Sequence, residues 1–468
     1  MLKTAPRPQG TLSPPLLLTS LAGLFREWLP QQRWFAAKGR PLTDLAVVSM
    51  TELHPGCLHL LLRTGHAGSP AHCYQLILGM REELPPRLHH AVIGRPSVGP
   101  LAGLNVYDAL RDPRSTGLLL ERLRVPGAAG PLRFERDART VVPAGLAPRL
   151  LDGEQSNTSL VYGDSFILKL FRRIQYGVNP DLEVPWALAG EGCARVPAPV
   201  AWFWTTEPRR TTLGVLQPFL RGATDGWTLA LRSLAAGEGF ADEAYELGRA
   251  TAEVHAALAA ALPTVTLGHV QVELLARGMT ERLEAAARAV PALRPYEPAL
   301  RTAYRALADL ASEGGTALTA QRVHGDLHLG QFLRAPSGQW TLIDFEGEPA
   351  RPLAERRMPQ PPARDIAGML RSFDYAARSI PPAPGPTRAD QTPPPSRWSP
   401  EWADTCRAAY CAGYADVDGH DPRTSPVLLR AHETDKAVYE AVYEARHRPD
   451  WLPVPLAALD QLASDASL

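Results

Sequence analysis

Residues 323–333 read Val-His-Gly-Asp-Leu-His-Leu-Gly-Gln-Phe-Leu, and residues 340–346 read Trp-Thr-Leu-Ile-Asp-Phe-Glu. Asp326 follows a glycine, as in a tight loop, and the amide of Gln331 comes next on the same loop. Asp344 ends the apolar run of the second stretch. A carboxylate can accept the proton of an attacking hydroxyl, while an amide oxygen and a second carboxylate suit Mg²⁺. The spacing therefore predicts phosphoryl transfer, with Asp326 as catalytic base and Gln331 and Asp344 as magnesium ligands.

The loop resembles the HGDxHxxN loop of aminoglycoside phosphotransferases and related small-molecule kinases. Gln331 stands where those loops carry asparagine, which weakens the resemblance to resistance enzymes. A chance His-Gly-Asp tripeptide is the alternative, but the spaced amide and the second Asp argue against it. His324 and His328 are interpreted as structural residues that hold the loop, because neither has the partner pattern of a metal ligand.

The composition is that of an ordinary globular protein. The chain has 468 residues, of which 45% are hydrophobic and 21% charged. Its 49 basic residues balance 49 acidic ones, so no overall field recruits nucleic acid or an anionic membrane. The five cysteines are scattered without metal-type spacing, and no run reaches the roughly 18 apolar residues of a membrane span. We expect a reduced, cytoplasmic protein.

The hydrophobic pattern divides the chain into three parts. Residues 1–95 combine a helix with strand-like runs and predict an N-terminal α/β cap subdomain. Residues 96–220 are expected to hold an intermediate region, with a strand at 117–122, and a sheet-rich N-lobe that binds nucleotide. Residues 221–468 predict a mainly helical C-lobe with the catalytic loop and the acceptor site. The predicted fold class is α+β, a bilobal protein-kinase-like fold.

Lysine is rare in this chain, with four among 49 basic residues. One of them, Lys169, lies in the strand-like run Phe-Ile-Leu-Lys-Leu-Phe of residues 166–171. A lysine on such a strand can neutralise nucleotide phosphates, and a helix glutamate normally orients it. Glu183, in a helix predicted at about 180–192, is the candidate partner. The alternatives are a solvated strand lysine and an unrelated glutamate.

A polar turn, residues 153–159, precedes that strand. It lacks a Gly-rich P-loop pattern, but its backbone N–H groups and small side chains can cover nucleotide phosphates. The turn residues expected to do so are Ser156, Asn157 and Thr158. By resemblance to the kinase layout, Gln217 and Phe219 fall at the interlobe hinge, where adenine would be hydrogen-bonded.

Two later helices concern the acceptor. Residues 364–377 predict a helix docked on the core, with Asp365 in its first turn, where structural and catalytic roles are both open. In residues 433–446, one helix face carries a lysine, a glutamate and two tyrosines, which can cover a sugar ring and hydrogen-bond its hydroxyls. These residues are Lys436, Tyr439, Glu440 and Tyr443. The alternative is a surface helix with an i,i+4 Lys–Glu pair.

With these residues in view, the chain resembles bacterial maltokinases along nearly its whole length. The segments that carry the resemblance are residues 32–40, 152–159, 222–227, 324–333, 343–349 (Ile-Asp-Phe-Glu-Gly-Glu-Pro), 364–377 and 435–456. The resemblance implies transfer of the ATP γ-phosphate to the anomeric hydroxyl of maltose, which gives maltose 1-phosphate for α-glucan (glycogen) synthesis. It also implies that Asp326 takes the C1 hydroxyl proton. The maltose pocket implied by it consists of Tyr375, Lys436, Tyr439, Glu440 and Tyr443.

The expected cofactors are ATP and Mg²⁺, and the resemblance implies a functional link to a trehalose–maltose isomerase and a maltosyltransferase. One alternative is a kinase for another sugar, such as glucosamine, because related enzymes share the catalytic loop. A small amino sugar should need extra carboxylates near the acceptor, whereas a disaccharide needs a long aromatic face. The other alternative is an inactive nucleotide- or glycan-binding scaffold. The joint presence of four residues suited to phosphoryl transfer argues against such a scaffold. They are Lys169, Asp326, Gln331 and Asp344.

Overall fold

The computed structural model describes residues 13–36, 39–66, 68–151, 156–313, 318–349, 351–379 and 400–464. The chain forms two compact units. Unit 1 comprises Met1–Glu183 and Ala198–Arg221, and unit 2 comprises Val184–Pro197 and Gly222–Leu468. Part of the predicted nucleotide turn, residues 152–155, lies outside the described residues. The three-part division after residues 95 and 220 stays a prediction.

Unit 1 begins with a helix on an antiparallel sheet of order β1-β2-β3-β5-β4. The elements are α1 Pro14–Trp28, β1 Leu42–His54, β2 Cys57–His66, β3 Ser69–Arg81, β4 Val92–Gly94 and β5 Asn105–Asp108. Leu17, Leu21 and Phe25 recur at helical spacing and are fully buried, so α1 packs its apolar stripe on the sheet. Strand β2 is buried on both faces, because Leu60 joins the α1 cluster and Leu61 joins a second core.

The rest of unit 1 is a second antiparallel sheet, of order β6-β7-β12-β13-β10-β9-β8. The elements are α2 Pro113–Arg124, β6 Gly127–Ala129, β7 Leu132–Arg136, β8 Pro148–Leu150, β9 Asn157–Tyr162, β10 Phe166–Phe171, β11 Arg173–Ile174, β12 Ala201–Thr205, β13 Thr211–Pro218 and the first turn of α3 Pro180–Gly190, whose later residues belong to unit 2. Lys169 lies on β10, between β9 and β13. Strand β11 pairs with β3 of the first sheet, so one run of chain contributes to both sheets.

Residues 117–122, predicted as a strand, lie in helix α2, so this prediction is wrong. Asp112 caps the helix by accepting a hydrogen bond from Arg114 N at 3.2 Å, and Pro113 occupies the first turn. Both features start helices. Burial of Leu119, Leu120 and Leu123 outweighs the about 1 kcal/mol that Gly117 costs inside a helix.

Unit 2 is mainly helical. Its helices are α4 Gly226–Ala236, α5 Ala241–Ala261, α6 His269–Ala289, α7 Glu297–Glu313, α8 Leu353–Arg356, α9 Ala363–Arg378, α10 Pro400–Asp418, α11 Pro426–His447 and α12 Pro453–Ser464. Its strands are β14 Thr224–Asp225, β15 Val265–Leu267, β16 Leu318–Ala320, β17 Phe332–Arg334 and β18 Trp340–Leu342. Helices α5 and α10 approach closely, because a Cβ on Gly248 or Gly413 would overlap the facing backbone. Across the described residues, no helix is long and apolar enough to cross a membrane.

Candidate active site

The predicted catalytic loop, residues 323–331 of unit 2, is held by a buried carboxylate. Asp365, in the first turn of α9, accepts hydrogen bonds from His324 N at 2.7 Å and Gly325 N at 2.8 Å. Its Oδ2 also lies 3.1 Å from His255 Nε2 on α5. Burial alone would raise the pKa of Asp365, but the His255 contact and the loop groups lower it. Asp365 is therefore a charged structural support of the loop, the first of the two roles considered above.

The two loop histidines contact the backbone. His324 Nε2 lies 2.9 Å from Ile343 O, at the end of the β17–β18 hairpin. His328 Nδ1 accepts a hydrogen bond from Gly330 N at 3.1 Å. Burial lowers the pKa of His328, which favours the neutral form that can accept this bond. These contacts agree with the structural roles expected for both residues.

Gln331 and Asp344, the predicted magnesium ligands, lie side by side. Ile343 N donates to Gln331 O at 2.9 Å, and Gln331 Nε2 lies 3.3 Å from Asp344 Oδ2. Asp344 has a φ of +67°, a conformation uncommon outside glycine and frequent at functional sites. With its amide reversed, Gln331 presents an oxygen beside the carboxylate. Because Mg²⁺ prefers such oxygen ligands, the donor set fits this metal.

The predicted base, Asp326, forms an ion pair with Lys436 of α11. The Asp326 Oδ1–Lys436 Nζ distance is 2.7 Å, across 110 residues of sequence. Burial alone would raise the pKa of Asp326, but Lys436, His328 and His324 together outweigh burial and hold that pKa below its usual range. Burial alone would lower the pKa of Lys436, but Asp326 and Glu348 hold it above its usual value. Both groups are therefore charged at neutral pH.

Aromatic rings follow Lys436 along α11. The Lys436 ammonium lies 4.9 Å from the ring centroid of Tyr439. Tyr439 and Tyr443 stack with centroids 6.4 Å apart, and Tyr443 lies 4.7 Å from the ring of His447. The structure thus brings Lys436, Tyr439 and Tyr443 together on one helix face that starts at the predicted base. We call the rings of Tyr439, Tyr443 and His447 the aromatic row.

The other two predicted sugar residues are bonded to protein neighbours. Glu440 Oε2 lies 2.8 Å from Arg371 Nη2. Tyr375 donates to Glu444 Oε1 at 2.5 Å and stacks on Trp451 with ring centroids 5.9 Å apart. Glu440 is thus paired with an arginine, and Tyr375 with a glutamate and a tryptophan. Neither contact involves Lys436 or the aromatic row. Their sugar-binding roles stay predictions.

Two arginines that the sequence analysis passed over support α11. Arg371, which is 2% exposed, bonds Asp374 Oδ2 at 3.2 Å as well as Glu440. Arg407 of α10 bonds the same Asp374 oxygen at 3.1 Å and both carboxylate oxygens of Glu433 at 3.0 Å. This network joins α9, α10 and α11. In a chain whose usual cation is arginine, neither residue carries a sequence signal that separates it from a surface arginine.

In unit 1, Lys169 forms a second ion pair. Its Nζ lies 2.9 Å from Asp181 Oδ2, in the first turn of α3. Asn179 caps this helix by accepting a hydrogen bond from Asp181 N at 2.8 Å. Glu183, the predicted partner, lies in the same first turn, and its role stays a prediction. Sequence analysis missed Asp181, although Asn179-Pro180 is a helix-start signal that puts both acids in that turn.

The remaining predicted nucleotide contacts lie on β9 and β13 or directly beside them. They are Ser156, Asn157, Thr158, Gln217 and Phe219. Thr158 Oγ1 accepts a hydrogen bond from Arg172 Nε at 2.8 Å. Gln217 pairs with Ile167 of β10, two residues before Lys169. Unit 1 therefore holds all of these residues together with Lys169, and their contacts to nucleotide stay predictions.

Known families match two parts of this chain. Residues 28–112 match the maltokinase N-terminal cap domain. Residues 147–424, more than half of the chain, match the phosphotransferase enzyme family. The chain belongs to the phosphotransferase enzyme family. Its membership in this kinase family confirms the predicted kinase and the predicted resemblance to capped, maltokinase-like enzymes.

Proteins named glucosamine kinase resemble this chain over most of its length. A glucosamine kinase of Streptacidiphilus jiangxiensis is 31% identical over 74% of this chain and 80% of its own length. One of Mycolicibacterium smegmatis (strain ATCC 700084 / mc(2)155) is 30% identical over 67% and 79%. The solved structure of a glucosamine kinase in complex with glucosamine, ADP and inorganic phosphate is 25% identical, with a TM-score of 0.64. The match covers 94% of this chain and 99% of the glucosamine kinase chain. This similarity confirms the predicted α+β kinase-like fold.

Proposed function

We propose that this phosphotransferase is a maltokinase, which transfers the γ-phosphate of ATP to the anomeric hydroxyl of maltose. Its product, maltose 1-phosphate, would feed α-glucan (glycogen) synthesis, in a functional link with a trehalose–maltose isomerase and a maltosyltransferase. One observation carries the proposal: helix α11 sets Lys436 2.7 Å from Asp326 and continues into the aromatic row. The match to the maltokinase cap domain supports it.

The length of the aromatic row favours a disaccharide. From Tyr439 to His447 the helix advances about 12 Å at roughly 1.5 Å per residue. Tyrosine rings bind the apolar faces of sugars and their hydroxyls remain available for hydrogen bonds. A row of this length offers more ring surface than one hexose covers, so a second glucose unit would gain contacts.

The charge of α11 favours a neutral acceptor. Each acid of this helix lies within 3.0 Å of an arginine. The four acids are Glu433, Asp435, Glu440 and Glu444. An amino sugar bound to one of these carboxylates would compete with its arginine for the same negative charge. The hydroxyls of maltose make no such demand.

Asp326 would act on the acceptor hydroxyl. Its ionised carboxylate accepts the hydroxyl hydrogen bond and then the proton, while the sugar O–P bond forms and the bond from the γ-phosphorus to the β-bridging oxygen breaks. The transition state of such transfers is loose, so positioning counts for more than basicity. A carboxylate whose pKa lies below its usual range is therefore sufficient. Lys436 holds this carboxylate and has further N–H donors for a sugar hydroxyl.

Further residues are proposed to bind the donor nucleotide and its metal. Gln331 and Asp344 would hold Mg²⁺, which neutralises phosphate charge. Lys169, oriented by Asp181 and by the predicted Glu183, would neutralise the α and β phosphates. The further proposed nucleotide contacts are Ser156, Asn157, Thr158, Gln217 and Phe219. The ADP bound in the similar glucosamine kinase supports a nucleotide donor.

Glucosamine is the second candidate acceptor. The relatives named glucosamine kinase favour it, at 31% and 30% identity. A shared fold and catalytic loop do not carry the acceptor with them, because specificity lies in the residues that contact the substrate. The acids of α11 are paired with arginines, and this pairing favours maltose over glucosamine as the acceptor.

An acceptor panel tests the proposal. ADP release is measured with maltose, trehalose, glucose and glucosamine in turn, each with ATP and Mg²⁺, and Asp326→Asn reports background hydrolysis. We expect the highest kcat/KM with maltose, and ³¹P NMR should place the product phosphate on C1. A higher kcat/KM with glucosamine than with maltose would contradict maltose as the acceptor but would still agree with a sugar kinase. Absence of turnover on all four sugars would contradict the proposal as a whole.

A further inference from the structure

Glu348 is a buried carboxylate in the segment that follows β18, shortly after Asp344. Its side chain is 5% exposed, and its two oxygens have different partners. Oε2 lies 2.5 Å from Arg351 Nε and 3.0 Å from Arg364 Nη2. Oε1 lies 3.9 Å from Lys436 Nζ. Two arginines thus fix one oxygen of this carboxylate, and the other oxygen faces the lysine that pairs with the predicted base.

The Lys436 ammonium therefore lies between two carboxylates of unit 2. Asp326 Oδ1 is 2.7 Å from its Nζ, and Glu348 Oε1 is 3.9 Å away. The three side chains line one cavity of about 10 Å³, which has room for about one water molecule. Lysine carries a compact charge on a flexible stem, so one carboxylate alone would let the ammonium swing around it. The second carboxylate restricts that movement.

Glu348 can restrict Lys436 because its own position is tied to helix α11. Arg351 bonds Glu348 through Nε, and its Nη2 lies 3.5 Å from Asp435 Oδ2. Asp435, the residue before Lys436, also accepts two hydrogen bonds from Arg282 of α6, both at 2.9 Å. A guanidinium group presents its donors in a rigid planar fork. The arginines therefore keep Glu348 and this turn of α11 in a fixed relation.

The segment with Glu348 also lies against the catalytic loop. Gly325 and Gly347 have φ values of +84° and +68°, a region that favours glycine. A Cβ on Gly325 would lie 3.5 Å from Gly347 Cα, so the two backbones are close. Asp326 directly follows Gly325, and Glu348 directly follows Gly347. Arg364 Nη2 donates to Gly325 O at 3.2 Å as well as contacting Glu348. The two carboxylates beside the ammonium thus start from adjacent stretches of backbone.

We propose that Glu348 is a positioning residue for acceptor binding, which acts on the sugar through Lys436. The inference rests on the proposed function, in which Lys436 donates to a sugar hydroxyl while it holds Asp326. With Glu348 in place, the ammonium keeps its distance from Asp326 and directs its remaining N–H groups to the sugar. The segment after β18 then serves both substrates, because Asp344 would bind the metal of ATP and Glu348 orients the cation of the acceptor site.

Glu348→Gln tests this role. The amide keeps the length of the side chain but removes the negative charge that faces Lys436. We expect the KM for the acceptor sugar to rise about threefold to tenfold, between the effects of losing an exposed and a buried ion pair. The KM for ATP should stay at its wild-type value. Glu284→Gln is the matched control, since Glu284 of α6 lies 2.8 Å from Arg301 of α7, and it should change neither KM.

A double variant distinguishes positioning of Lys436 from a purely structural role. Glu348→Gln combined with Lys436→Met should raise the sugar KM no further than Lys436→Met alone, because both changes act through one ammonium. A further rise by the same factor would mean that Glu348 acts through Arg364 and the catalytic loop, and would overturn the inference. A lower melting temperature for Glu348→Gln with an unchanged sugar KM would overturn it as well.

The same measurements separate this inference from the proposed function. A wild type that prefers glucosamine would overturn maltose as the acceptor alone, because the variants of Glu348 and Lys436 then report on the KM for glucosamine. A wild type without turnover on any sugar of the panel would overturn both, because Lys436 would then have no acceptor to bind.

Discussion

Among the described residues, each unit holds one lysine–aspartate pair, and the two pairs differ in how far their side chains are exposed. Lys169 Nζ lies 2.9 Å from Asp181, and Lys436 Nζ lies 2.7 Å from Asp326. Both lysine side chains are 14% exposed, but the Asp181 side chain is 3% exposed and that of Asp326 is 20% exposed. The aspartate of unit 1 is therefore a buried holder of its lysine, while the aspartate of unit 2 keeps surface on which a hydroxyl can bind.

The contrast assigns opposite roles to the same two residue types. In unit 1 the lysine is the proposed functional group and the aspartate orients it. In unit 2 the aspartate is the proposed functional group and the lysine holds its charge. Arginine serves as the cation nearly everywhere else in this chain, whereas both pairs use the compact ammonium of lysine instead of a planar fork. Variants of the four residues can break or sharpen this contrast.

The largest effect should come from Asp326→Asn. The amide keeps the shape of the side chain but cannot take a proton, so we expect kcat to fall about 10²- to 10⁴-fold, the usual contribution of a general base. The KM for ATP should stay near the wild-type value. Initial rates at saturating ATP, corrected for a no-sugar blank, measure the loss. Full turnover by this variant would sink the mechanism.

The two lysines should separate in the kinetic parameters. We expect Lys169→Met to raise the KM for ATP about tenfold or more, because it removes a charge from the phosphates. Lys436→Met should instead raise the KM for the sugar and lower kcat, with the KM for ATP little changed. Paired saturation curves in ATP and in sugar check both. A rise in the KM for ATP alone after Lys436→Met would contradict the assignment of Lys436 to the sugar and of Lys169 to the nucleotide.

The sequence predicts contacts between residues that lie close together in the chain better than contacts between distant residues. The catalytic loop, Gln331 and Asp344 follow each other closely, so their spacing predicts a common site that the structure brings together. The contact of Lys436 with Asp326 spans 110 residues. Periodicity placed Lys436 on a helix face beside two tyrosines, and only family resemblance placed that face beside the base.

Other features have no readable signal in one sequence. Asp181 and Glu183 share a first turn, so helix-start signals cannot choose between them. Residues 117–122 contain only a short apolar run, residues 118–120, which periodicity alone cannot assign to helix or strand. Arg371 is buried only because Asp374 and Glu440 pair with it, and such pairing depends on how three helices pack.

A smaller effect should decide between the two acids of α3. We expect Asp181→Asn to raise the KM for ATP about fivefold to tenfold, because the 2.9 Å contact with Lys169 is a charge-assisted hydrogen bond. Glu183→Gln, its control in the same helical turn, should have the weaker effect. The reverse order would restore Glu183 as the main partner of Lys169 and make Asp181 a structural acid.

The smallest change concerns pH. Burial raises the pKa of Asp326, but Lys436, with His328 and His324, holds that pKa below its usual range, so the wild-type carboxylate stays ionised through mildly acidic conditions. Lys436→Gln removes the largest of these opposing contributions and leaves burial, which raises the pKa, opposed by the two histidines alone. The acid limb of kcat/KM should therefore move to higher pH, by about one unit or more. Lys436→Arg is the matched control, since it keeps the charge and should keep the limb at low pH even where sugar binding is impaired. An unmoved limb in Lys436→Gln would mean that Asp326 needs no counter-charge, and the lysine would then serve the sugar alone.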